Sequence, residues 1–189
     1  MSIEPTTQHD ALIAQTRSSR FGELLAPEHV DALENKISPN SLQKLSIESA
    51  ALLKSFVKAT EDGLLVTGYV YSEIPILWIV DKNDEIWFAI EEIIDPKTLE
   101  FVMPRLRNTN RPDGLQRLGH PALIGAREGR IGGEILFDVR GKPARWVISN
   151  ASGRYGLKPG RQPEQLSAAK QEFLRYGIDL MEFFIARRS

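Results

Sequence analysis

Two runs of β-branched and aromatic residues, Ile76–Val80 and Ile86–Ile90, flank the polar tetrapeptide Asp81-Lys82-Asn83-Asp84. Side chains of this kind suit a half-buried pleated surface, and the polar loop lets the chain reverse, so the segment predicts a β-hairpin. A second hairpin is expected where Gly133–Asp138 and Ala144–Ser149 surround Arg140-Gly141-Lys142-Pro143. Leu64–Tyr71 reads as a further strand. Helical patterns lie on either side. Asp10 to Leu25, Glu28 to Lys36 behind Pro27, and Ser38 to about Lys58 precede the strands, with Glu61-Asp62-Gly63 as a turn. A short helix is expected from Asp95-Pro96 to Pro104, and Arg105 to Gly119 reads as loop. Pro163 opens a helix to about Tyr176 with Gly177 as its stop, and Ile178–Ile185 is a last strand or short helix. Helices first and strands later predict an α+β fold. N-terminal helices would pack on a mainly antiparallel sheet of two hairpins, with a C-terminal helix and final strand. Residues 1–60 are the expected helical region, and residues 61–189 the α+β module.

Charge is distributed unevenly along this frame. Residues 1–103 carry 8 Lys/Arg against 17 Asp/Glu, whereas residues 104–161 carry 12 against 4, ten of the twelve being arginine. Arginine's planar fork suits bidentate contact with carboxylate or phosphate. The basic block is therefore either the internal complement of the acidic half or a surface for an anionic partner. Not all of it should be internal, because long charged side chains are seldom buried without partners. Several of Arg105, Arg107, Arg111, Arg127, Arg130, Arg154 and Arg161 are expected to form a continuous positive surface next to the Ser152-Gly153-Arg154-Tyr155 turn.

Several chemistries are excluded or disfavoured by composition. The chain has no cysteine, which removes disulfides and thiolate catalysis, and its three histidines do not suggest a metal site. Neither a metal nor a cofactor is expected. The N-terminal residues have no basic region followed by an apolar one, and no apolar run approaches the ~18 residues of a membrane span. A cytoplasmic protein without membrane contact is expected, although leaderless secretion would leave no mark. The acidic balance overall, with net charge −1, argues against nucleic acid as the partner.

Chemistry-bearing residues concentrate between Arg117 and Arg161. His120, set between Gly119 and Pro121, is expected in extended backbone at a loop-to-core junction, where it either serves as a general base or fixes the loop. Asn150-Ala151-Ser152-Gly153-Arg154-Tyr155 reads as a tight turn. Its backbone N–H groups can cradle an anion, or its side chains can close the end of a sheet. The glycine-rich run from Gly125 to Gly133 lacks the Gly-Lys-Ser/Thr of a phosphate-binding loop. Glu134 can pair with His120 or an arginine, or act as an acid. Glu91-Glu92 reads as a charged strand end whose two side chains face opposite sides. Trp78, Trp87 and Trp146 read as core.

Five short pieces recur in order: Leu77-Trp78-Ile79-Val80, Glu85-Ile86-Trp87-Phe88, Gly119-His120-Pro121-Ala122-Leu123-Ile124-Gly125, Gly132-Gly133-Glu134-Ile135 and Ser152-Gly153-Arg154-Tyr155. In this order they resemble the conserved module of the plant IQ-motif-containing calmodulin-binding proteins and of bacterial proteins that share it. There the matching pieces run His-Ser-Ser-Phe-Leu-Ala-Gly, then Ala-Gly-Arg or Gly-Glu, then Ser-Gly-His-Tyr before a proline and a helix. The likeness covers roughly residues 75–185. Pro121-Ala122-Leu123 replaces the family's Ser-Ser-Phe, and Arg154 its second histidine. No IQ motif is present, so calmodulin is not an expected partner.

The resemblance implies a shared fold and a pocket around the histidine and the Ser-Gly-Arg-Tyr turn, and it implies no assigned reaction. The expected function is a binding module for an acidic protein or a small anionic ligand. The bacterial relatives imply a setting such as an effector, immunity or adaptor protein of a secretion or toxin system. Its ligand-binding residues would be Asn150, Ser152, Gly153, Arg154, Arg127 and Arg130. The alternative is an enzyme acting on a nucleotide- or NAD-like substrate, with His120, Glu134 and Tyr155 as catalytic groups and Ser152 beside them.

Overall fold

A computed structural model describes residues 19–63, 70 and 72–186. Both predicted hairpins are present and share one sheet. The first consists of β2 (Ile76–Val80) and β3 (Ile86–Ile90), and the second of β7 (Gly132–Asp138) and β8 (Arg145–Ser149). With β1 (Gln43–Lys44) and β9 (Met181–Phe183) they form six strands in the order β1-β3-β2-β7-β8-β9. All neighbours are antiparallel except β8 and β9. The first hairpin is closed by Asp81. Its carboxylate accepts the backbone N–H groups of Asn83 at 2.8 Å and Glu85 at 3.0 Å, and the Trp87 indole N–H at 3.1 Å. The fold is α+β, as the order of elements predicts.

The faces of the sheet are covered unequally. Trp78, Val80, Phe88, Ile135, Phe137, Trp146 and Ile148 pack beneath α1 (Ile47–Gly63) and a C-terminal helix spanning Pro163–Arg175. Trp146 lies 5.4 Å from Phe137 and 5.7 Å from Phe56, ring centre to ring centre. On the opposite face Leu77, Ile79 and Ala89 meet α2 (His120–Leu123), Ile124 and Tyr155. The C-terminal helix, α3, is delimited by local chemistry. Gln162 and Gln165 form a capping box that brackets Pro163. At the other end Gly177, at φ 76°, donates to Leu174 O at 2.8 Å while Ile178 donates to Phe173 O at 3.1 Å. This paired closure of a helix end favours glycine.

Several expected elements differ. The helix placed over Asp10–Leu25 lies outside the described residues up to 18, and its remainder is a turn ending in a bridge between Leu25 and Gly129. Gly22, at φ 88°, with the Ser19 hydroxyl accepting the Phe21 N–H, breaks any helix there. Glu28–Lys36 forms turns, because the Glu34 carboxylate is drawn inward and accepts the Asp31 N–H. The third helix starts at Ile47 behind a Ser46–Ser49 cap, since Gln43–Lys44 pairs with β3, and it runs through the expected turn to Gly63. Apart from Val70, the strand expected at Leu64–Tyr71 falls outside the described residues.

The helix expected after Asp95-Pro96 is a turn with Leu99 at φ 64°. It leads into β5 (Phe101–Pro104), and β6 (Gln116–Leu118) interrupts the expected loop. With β4 (Glu92–Ile94) these make a second sheet, ordered β5-β4-β6. The last segment, Ile178–Ile185, contains β9 and is a strand. Among the described residues no helix is long and apolar enough to cross a membrane.

Candidate functional site

The glycines of the central segment serve close backbone contact. A Cβ on Gly133 would lie 1.7 Å from Ser149 O, and one on Gly156 would lie 2.1 Å from Gly132 O. No side chain fits at either place, so β7, the end of β8 and the Asn150–Gly156 turn can meet backbone to backbone. That contact brings His120 and the turn to the same end of the sheet. His120 is helical, the first residue of α2, and not extended as expected; Pro121 then sits in a first turn, where its missing N–H costs nothing. The His120 Nε2–H donates to Gly133 O at 2.9 Å. Burial pushes its pKa down to about 4, with Arg154 and Arg117 acting in the same direction. The ring is neutral at neutral pH and mostly screened from water.

A charge cluster surrounds this junction. Glu34 is fully buried and accepts the Gly119 N–H at 2.9 Å, the Asp31 N–H at 2.9 Å and the Arg154 guanidinium. Glu91, also buried, accepts from Arg105 at 3.0 Å and lies 3.9 Å from Arg117. Its pKa is raised because burial outweighs the Arg105, Arg117 and Arg154 charges. Glu134 is raised as well, by burial and the Glu91 charge against Arg107 and Arg105. It makes no hydrogen bond through its carboxylate among the described residues. His120, Glu134 and Arg154 thus belong to one electrostatic neighbourhood.

Glu34 and Glu91 complete that neighbourhood, and sequence reasoning missed both. The signal for Glu91 is the acidic doublet inside the apolar run Phe88-Ala89-Ile90-Glu91-Glu92-Ile93-Ile94, a pattern that costs too much unless both carboxylates have partners. They do. Glu92, facing away as expected, accepts the N–H groups of Asn40 and Ser41 and the Ser41 hydroxyl. No comparable local signal marks Glu34, whose partners lie far along the chain.

The remaining predicted residues act as fasteners. The Asn150 amide nitrogen donates to Gly156 O and Ile185 O, while its oxygen accepts the Ile185 N–H at 2.7 Å. The Ser152 hydroxyl accepts the Tyr155 N–H, and the Tyr155 hydroxyl donates to Arg127 O at 2.9 Å. Tyr155 is fully buried and its pKa is raised by burial. Arg130 reaches Asp84 and Gly22 O. Arg161 donates to the carbonyls of Tyr155, Glu23 and Arg130, and burial lowers its pKa to about 10. Arg127 reaches Ile124 O at 2.7 Å. Gly153 is exposed and nothing crowds it.

These ties break up the expected positive surface. Arg105, Arg117, Arg130 and Arg154 pair with Glu91, Asp84, Asp31 and Glu34, all from the acidic half, and Arg161 is spent on carbonyls. Arg107, Arg111, Arg127, Arg140, Lys142 and Arg145 remain exposed. Among the described residues no group of three or more His, Cys, Asp or Glu side chains is placed to hold a metal ion. What the buried cluster can do chemically is lock the loop before α2 onto the sheet; its histidine is neutral and already bonded. No protein-family model matches the chain, and no curated protein or solved structure matches it.

Proposed function

We propose that this chain is a binding module that recognises an acidic protein or other anionic partner without turning it over. One observation carries the reading: the basic block divides into residues consumed internally and six exposed cations that form no ion pair among the described residues. Desolvating unpaired cations gains nothing for the fold, whereas exposed ones raise the encounter rate with an acidic partner. The resemblance to the bacterial relatives of the IQ-motif proteins adds an expectation of setting, as an effector, immunity or adaptor protein. The test is to titrate the protein with acidic peptides, nucleotides and NAD, reading thermal stabilisation and then consumption. Stabilisation without consumption is expected.

The enzyme reading draws on Glu134, whose pKa is raised by burial against the Arg107 and Arg105 charges and whose carboxylate has no hydrogen-bond partner among the described residues. Consumption of a nucleotide or NAD, lost in Glu134→Gln, would overturn the binding-only proposal.

A further inference from the structure

Among the described residues, the face of β7, β8 and β9 opposite α1 and α3 stays open and forms a groove of about 510 Å³. Strand alternation turns Ile135, Phe137, Trp146 and Ile148 into the core and leaves Leu136, Val147, Met181 and Phe183 on this side. The register sets Leu136 beside Val147 and Val147 beside Met181, so the three make one apolar row across three strands. Met181 is 37% exposed and Phe183 58%, large values for side chains that could have been placed inward.

Charge frames this row. Arg107 and Arg140 both line the groove and are exposed, and Lys142 and Arg145 are exposed on the hairpin that carries Arg140. Two carboxylates, Glu73 and Asp138, also line the groove and keep their charge, so the surplus of cations comes from Lys142 and Arg145. Both Glu73 oxygens accept from the Asn108 amide at 3.0 and 2.7 Å. Asp138 turns back to accept the Arg140 N–H at 3.0 Å. Glu134 lies further along the same face of β7, partly buried, and Arg107 is the strongest charge lowering its pKa. Arg107 is therefore shared, and the Arg140 end is the stronger anchor.

From this juxtaposition we infer that the groove docks a protein segment carrying apolar side chains flanked by aspartate or glutamate. The inference rests on the binding-module reading and gives it a place. The apolar row supplies desolvation, and the surplus of cations at the rim selects an acidic flank and rejects a basic one. Phe183, with both apolar neighbours and open space, is the anchor a partner would cover.

The test is fluorescence polarisation with the full chain and three labelled synthetic peptides. One alternates Leu and Phe with Asp and Glu, one carries Lys in place of the acids, and one is oligoglutamate. The acidic apolar peptide is expected to bind at least tenfold tighter than the other two. Phe183→Ser and Arg140→Glu should each weaken it at least tenfold, with Lys82→Glu, on the distant β2–β3 loop, leaving it unchanged. Circular dichroism confirms that the surface variants fold. Equal binding of oligoglutamate, or unchanged affinity in both groove variants, overturns the inference. Affinity that survives in those variants but falls in Arg111→Glu with Arg127→Glu sinks the groove and spares the binding-module reading. No binding by any of the three peptides overturns the groove outright.

Discussion

At the scale of single residues, the decisive quantity is the cost of leaving a buried charge alone. Arg154 and Glu34 meet across 120 residues of sequence, with Glu34 fully buried. Removing one partner of such a pair costs about 3–5 kcal/mol, since the other charge stays in a poor solvent. Arg154→Ala should therefore lower the urea midpoint far more than Arg111→Ala, whose side chain is exposed. His120 gives a pH signature. Its folded pKa, about 4, lies below the 6.5 of the free side chain, so the unfolded chain takes up the proton first as pH falls. The contribution is present above pH 6.5 and is lost as pH falls through 4. Between pH 7 and 5 the loss is about 2 kcal/mol. Glu91 and Glu134, shifted upward, act in the opposite sense. Comparing the wild type with His120→Gln across that interval isolates the histidine, and the variant's pH slope should be flatter by that amount. Equal slopes would show that the ring is not buried neutral.

Elements differ in how much of their cause is local, and that difference decides which were legible in the sequence. Both β-hairpins and α3 were readable because alternating apolar residues, the Asp81 loop, Pro163 and Gly177 act within a few residues of themselves. Gly177→Ala should cost α3 about 1 kcal/mol, measurable in a thermal melt, because alanine at positive φ is strained. The segments before Ile47 were misread, since far partners settle their shape: Glu34 is pulled inward by Arg154, and Asn40 and Ser41 by Glu92. The β4-β5-β6 sheet was unreadable for another reason. Gln116-Arg117-Leu118 has no strand pattern and pairs only because Glu92–Ile94 is already in place. The Gly-His and Ser-Gly-Arg-Tyr motifs, far apart in sequence, do fall at one end of the sheet. Gly133, within the glycine-rich run, lets Ser149 O approach. Gly133→Ala should abolish the folded state or reduce its yield severely in a soluble-expression assay.

For the molecule as a whole, charge asymmetry along the sequence becomes adhesion between halves with a remainder left outside. Internal pairs such as Arg105–Glu91 are shielded from salt, whereas the exposed cations are screened beyond a Debye length of ~8 Å at 0.15 M. Raising sodium chloride should weaken binding of an acidic partner several-fold while moving the unfolding midpoint much less. Measuring both in one salt series separates the two populations of arginine. The parallel pairing of β9 with β8 has a consequence in time. Asn150, at the end of β8, holds both the N–H and the carbonyl of Ile185, and α3 must intervene before that residue can arrive. During synthesis the edge of β8 therefore waits unpaired until Ile185 has cleared the ribosome. Vectorial growth seals this sheet only after α3 has emerged, and a nascent chain stalled before Ile178 should be cut by protease within residues that the finished protein protects.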